Sequence, residues 1–243
     1  MTSSTPPGYR SLVALDRQRH RAKGVAAGAA RFAASLHAIY LTTPEFAAAS
    51  RHYPIVFARD DANTLHPVAV VGPEPGRNLW VTADGSWRDD AYCPAWVRRY
   101  PFATSRLVQD GEEKRLIMVD EAGLGEAAPH LFDARGEPTA FWHARLRFIE
   151  EFDAAEGQTR AFVAGLEALN VFEPFDADIQ PARGRRTRMT RMWRVRDEAL
   201  RALPDATLAG FVRDGTLLRL HAHLMSLDNF RTLLAPSVTE TPA

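Results

Sequence analysis

"PIVFARDDANTLHPVAVVG", residues 54–72, is the stretch on which the fold turns. Its apolar ends, "PIVFAR" (54–59) and "HPVAVVG" (66–72), flank the polar "DDANTL". Val, Ile and Phe suit a pleated, packed surface, whereas Asp, Asn and Thr favour a turn. The segment therefore predicts two antiparallel strands joined by a short loop. Both runs are nearly continuous rather than alternating, which predicts a sheet covered on both faces.

Working outward, "SLVALD" (11–16) predicts a short strand. "TPEFAAASRHY" (43–53) predicts a short helix, with Thr43 as N-cap, Pro44 at the first helical position and Glu45 in the first turn. Downstream, Asp84-Gly85 in "NLWVTADGSWR" (78–88) predicts a two-residue hairpin, because both turn positions need positive φ. "AYCPAWVRRYPF" (91–102) reads as a packed loop with one helical turn, and "RLIMVDE" (115–121) as another strand.

Near residue 138 the period changes. "TAFWHARLRFIEEFDAAEGQTRAFVAGLEALN" (139–170) places Phe141, Leu146, Ile149, Phe152, Phe162, Leu166 and Leu169 at helical spacing, as one helix or as two broken at Gly157. "VFEPFDADIQ" (171–180) reads as extended. "RGRRTRMTRMWRVR" (183–196) carries seven arginines in fourteen positions. There Trp193 and Val195 alternate with Arg194 and Arg196 as in a strand, and Met189 and Arg191 precede them on the same face. The stretch is expected to be the turn and second strand of a hairpin, its arginines discouraging edge aggregation. "DEALRAL" and "PDATLAGFVRDG" predict short helices, the second capped by Asp205 and stopped by Gly215. "TLLRLHAHLMSLDNFRTLLA" (216–235) predicts a terminal helix, or two broken near Asp228-Asn229.

The expectation is an α+β protein. A strand-rich N-terminal half, mainly antiparallel, packs with a mainly helical C-terminal half containing one β-hairpin. One integrated domain over residues 11–235 is expected, with parts 11–137 and 138–235 and polar tails at 1–10 and 236–243.

Lys+Arg and Asp+Glu both total 30, so the net charge is zero, which argues against nucleic acid as a partner. The one cysteine, Cys93, excludes an internal disulfide and a thiolate metal cluster. "MTSSTPPGYR" has no apolar core of a signal peptide, and the most apolar stretch, 25–41, is interrupted by Arg31 and His37. A cytoplasmic chain without a membrane span is expected.

Familiar catalytic signatures are missing. Gly123, Gly125 and Ala128 match G-x-G-x-x-A after a strand, but Pro129 follows at once, where a dinucleotide fold needs a helix. His221 and His223 point about 200° apart on a helix, so they cannot grip one metal together. No metal and no cofactor is expected. Trp80, Trp87, Tyr92, Trp96, Tyr100 and Phe102 fall within 23 residues, either as core packing or as the lining of a ligand or peptide groove. Arg98, Arg99, the strand-end pair Asp120-Glu121, and His223 are the polar candidates that an enzyme of unrecognised type would use.

Several stretches together resemble the SapC-like family of bacterial proteins. They are "YPIVF" (53–57), "PVAVVG...GRNLWVTADGSWR" (67–88), "VRRYPF" (97–102), "VDE" (119–121) and "LFDARGEP" (131–138). Further on come "TRAFVAGLEALNVFEPF" (159–175), "MWRVRDEALRALPDATLAGFVRDG" (192–215) and "AHLMSLDNFRTLL" (222–234). The likeness runs in one order from Leu12 to Leu234. By name it implies a surface-layer association. The genomic setting of the family implies an accessory role beside halogenase-like or oxygenase-like peptide-modifying enzymes. The expected function is a non-catalytic accessory protein that binds a peptide or a partner enzyme. An enzyme within such a system and a surface-layer component are the alternatives.

Overall fold

A computed structural model describes residues 5–109, 112–127, 129–179 and 187–234. The strands are β1 (Leu12–Ala14), β2 (Gly24–Val25), β3 (Ala38–Tyr40), β4 (Ile55–Arg59), β5 (Leu65–Val70), β6 (Phe102–Gln109), β7 (Glu112–Asp120), β8 (Leu124–Gly125), β9 (Phe172–Ile179) and β10 (Thr187–Val195). The helices are α1 (Phe46–Ala49), α2 (Ala95–Arg99), α3 (Ala140–Ala168), α4 (Asp197–Arg201), α5 (Asp205–Arg213) and α6 (Thr216–Ser226). All strand pairing among the described residues is antiparallel, in a five-stranded sheet β3-β5-β4-β10-β9, a three-stranded sheet β1-β7-β6 and a β2-β8 pair.

The opening stretch forms the middle of the large sheet. β4 and β5 pair from Ile55↔Ala69 to Arg59↔Leu65 around a turn in which Asn63 takes a φ of 61°. Ile55 and Phe57 enter the core beneath α1, α3 and α6, while Val56 enters a second core on the opposite face with Val70, Met192 and Leu233. Burial on both faces explains the continuous apolar run.

The division into two halves holds only in part. β9 and β10 form the expected hairpin, but β10 also pairs with β4 through Met192↔Ala58 and Trp193↔Phe57, so the second half completes the large sheet. The face of β10 also needs correction. A bulge between Met189 and Met192, with Arg191 at φ 62°, resets the alternation, so that Met192 is buried, as is Val195, while Arg191 is exposed. Arg188 and Arg194 pair across the hairpin with Asp176 and Glu173 at 2.9 and 2.8 Å. The expected turn arginines 183, 185 and 186 lie outside the described residues.

Gly157 does not interrupt α3, which runs unbroken for 29 residues. Its first half packs Trp142 and Ile149 against the small sheet, and its second half packs Val163 and Leu166 against the large one. The expected helix start at Thr43 shifts by one residue. Thr42 is the cap and shares a reciprocal capping box with Glu45. A turn forms at Asp84-Gly85 but not the expected two-residue one: the Gly85 N–H closes on the Thr82 carbonyl at 2.9 Å, Gly85 (φ 86°) but not Asp84 has positive φ, and the flanks make one bridge, Val81↔Trp87. Pro204 rather than Asp205 caps α5, and α6 passes into a 3-10 helix at Leu227 rather than breaking at Asp228-Asn229. β3 and β6 have no counterpart in the sequence reading. No helix among the described residues is long and apolar enough to cross a membrane.

Candidate functional site

The two Trp-containing segments between β5 and β6 fold onto Tyr53. Trp87 donates from Nε1 to the Tyr53 hydroxyl at 3.1 Å, and Trp80 meets the same ring edge-on at 5.0 Å. The Tyr53 hydroxyl donates in turn to the Tyr92 carbonyl. These contacts commit Trp80, Trp87 and Tyr53 to packing.

α2 then carries three of the candidate residues. Its first N–H, from Ala95, donates at 2.7 Å to the buried carboxylate of Glu45, which also accepts from Thr42 and from the Tyr92 hydroxyl. Glu45 thus ties α1 to α2. Sequence reasoning placed it only as a first-turn helix acid, since nothing local signals a partner 50 residues away.

Arg99 is 5% exposed and forms no ion pair among the described residues. Its guanidinium lies between the rings of Trp96 and Phe152, 4.3 and 4.4 Å from their centroids. Stacking between half-buried Trp96 and buried Phe152 supplies part of the compensation that a carboxylate would otherwise give. Tyr9 lies beside it, and burial pushes that phenol up to about 12 while Arg99 pulls against the rise.

Arg98 points the other way, into solvent. Its Nε donates to the Cys93 carbonyl at 3.0 Å and one terminal nitrogen donates to the Tyr92 hydroxyl at 3.1 Å. From α3, Arg145 donates to the Arg98 carbonyl at 3.2 Å and lies over the Phe141 ring, while Arg98 covers Phe148. Phe141, Arg145 and Phe148 share one face of α3 because they are four and three residues apart. Both arginines line an open cavity of about 440 Å³, together with Trp87, Cys93, Tyr100, Phe148 and the Gly28–Ala30 backbone. Neither guanidinium forms an ion pair among the described residues. Burial without a counter-charge pulls the Arg145 guanidinium below its usual range. Within the same cavity, burial pushes the Cys93 thiol up to about 12, so it keeps its proton at neutral pH.

The remaining candidates lie apart from this cavity. Asp120 is fully buried and accepts from the N–H groups of Arg10, Ser11 and Ala122 and from the Tyr100 hydroxyl, at 2.8–3.3 Å. Glu121 pairs with Arg19 at 2.7 Å and meets His20 at 3.3 Å. His223 is fully buried, with Nδ1 donating to the Ile55 carbonyl at 2.8 Å and Nε2 accepting from the Val195 N–H at 3.0 Å. His221 is exposed on the opposite side of α6. Gly123 closes a 3-10 turn, and a Cβ there would meet the Tyr100 ring at 2.4 Å, so that glycine makes room for an aromatic side chain. No group of His, Cys, Asp and Glu suited to hold a metal ion occurs among the described residues.

A family model described as SapC matches residues 15–233, most of the 243-residue chain. The chain belongs to the SapC family. The match spans β2 to β10 and α1 to α6, so every residue that lines the cavity falls within the family region. No curated protein and no solved structure matches this SapC protein.

Proposed function

We propose that this SapC protein is a binding protein whose cavity beside α2 takes an anionic group carried on an apolar or aromatic body, as an acidic side chain of a peptide or partner enzyme presents it. One observation carries the reading: Arg98 and Arg145 face the same cavity, and neither has a carboxylate in contact among the described residues. A guanidinium fork matches a carboxylate in two parallel hydrogen bonds, and partial burial strengthens that attraction. Trp87, Tyr100 and Phe148 supply the apolar wall.

The polar groups that an enzyme would recruit are committed elsewhere. Asp120 holds backbone N–H groups, both nitrogens of His223 hold strands, and Cys93 is protonated. This supports binding over catalysis. The test is fluorescence anisotropy with an acetylated, amidated peptide carrying one glutamate between apolar residues, against its glutamine counterpart. The glutamate peptide is expected to bind at least about tenfold more tightly, as a charge-assisted pair warrants. The Arg98→Ala/Arg145→Ala variant is expected to lose that difference. Equal binding of the two peptides, or full binding by the variant, would overturn the reading.

A further inference from the structure

We infer that a second anion subsite, formed by Arg10 and Arg31, extends the cavity into a groove for an extended acidic peptide with two carboxylates. The inference rests on the proposed function of the first cavity and deepens it.

A second cavity, of about 170 Å³, also borders Gly28 and Ala29. Arg10 and Arg31 line it, with Phe32 and Gly123. The two cavities share Gly28, Ala29 and Tyr100, so they adjoin along this backbone ridge. Close packing holds the ridge in place. Gly28 stands at φ 65°, and a Cβ there would come within 2.3 Å of the Asp84 carbonyl oxygen. A Cβ on Gly85 would meet the Gly28 carbonyl at 2.7 Å. Glycine at both positions lets the 82–86 turn pack directly against this backbone and fix the boundary between the two cavities.

The charges repeat on the second side. Arg10 and Arg31 are exposed and form no ion pair among the described residues; Arg31 donates only to the Ala83 carbonyl, at 3.2 Å. The acids nearby are already engaged. Asp120 accepts the Arg10 and Ser11 N–H groups, and Asp84 accepts from the Thr82 and Ser86 hydroxyls. Two arginine pairs therefore line two cavities that adjoin at Gly28, Ala29 and Tyr100. A compact ligand fills one cavity; an extended chain, rising about 3.3 Å per residue, reaches both.

The experiment measures the affinity of the full chain for blocked peptides by fluorescence anisotropy. One peptide carries a single glutamate. A series carries two, separated by one to four alanines. At the matching separation the second glutamate is expected to tighten binding by about tenfold or more, since its contact becomes intramolecular. Arg10→Ala/Arg31→Ala is expected to reduce the two-glutamate affinity to that of the single-glutamate peptide, with an unchanged melting temperature. Arg17→Ala/Arg21→Ala removes the same charge outside both cavities and is expected to shift affinity by less than about threefold, in line with screened long-range effects. A two-glutamate series no tighter than the single glutamate overturns the second subsite and leaves the first standing. So does equal weakening by the two double variants. Failure of the single-glutamate peptide to bind overturns both readings.

Discussion

His223 shows how much one side chain can hold in this protein. Its imidazole joins β4, through the Ile55 carbonyl, to β10, through the Val195 N–H. The neutral ring satisfies both groups only in the tautomer with its proton on Nδ1. Burial, the leading cause, lowers its pKa from 6.5 to about 4. Between those values the unfolded chain takes up a proton that the folded chain refuses. The contribution is therefore full above pH 6.5, shrinks as the pH falls, and is gone near pH 4, a loss of roughly 3 kcal/mol. Urea unfolding at several pH values checks this, and His223→Leu should flatten the dependence. At neutral pH the same substitution leaves two buried backbone groups unpaired and is expected to cost about 3–5 kcal/mol. A cost below about 1 kcal/mol would contradict the bridging role. Cys93 offers a second test at this scale. With its thiol at about 12, against an ordinary 9, thiolate is roughly a thousandfold scarcer, and alkylation of the folded protein should be correspondingly slow. Fast labelling at pH 7.5 would show that the thiol is not so held.

At the scale of elements, α3 carries the clearest consequence. Gly157 and Gly165 sit in the interior of an unbroken helix, and an added Cβ meets nothing nearer than an Arg160 nitrogen at 4.0 Å in one case and open space in the other. Glycine in a helix interior costs about 0.5–1 kcal/mol relative to alanine. Gly157→Ala and Gly165→Ala should each stabilise the protein by that amount, read as a higher urea midpoint at constant slope. Destabilisation by either would mean that α3 needs its flexibility. The helix was legible from its apolar spacing, and β4, β5 and β7 from their runs of branched residues. β6 was not, because "FATSRLVQ" alternates too weakly to be told from a loop. It becomes a strand by pairing with β7 over eight residues. The bulge in β10 was equally hidden, since it depends on seating Met192 against the core.

For the whole molecule, the five-stranded sheet is the decisive object, since neither half of the chain contains it. β4 meets β10 across more than 130 residues of sequence, and α3 packs on both the five-stranded and the three-stranded sheet. Thermal unfolding of the full chain is therefore expected as one cooperative transition, with fluorescence and circular dichroism coincident. Fragments 11–137 and 138–235 expressed separately should lack the full chain's near-ultraviolet signal; an independently folded fragment would contradict this.

Local chemistry controls what could be read along the chain: periodicity selects strands and helices, and the motifs that persist along it carry the family likeness. The candidate cavity was only half legible in this way. Trp87, Arg98 and Tyr100 stood out, but so did Asp120 and His223, which the fold uses to hold backbone. Arg145 and the Gly28–Ala30 ridge carried no signal. Only the tertiary structure decided which arginines lack acids and which face a common space, because ion pairing and burial depend on residues brought together from distant parts of the chain.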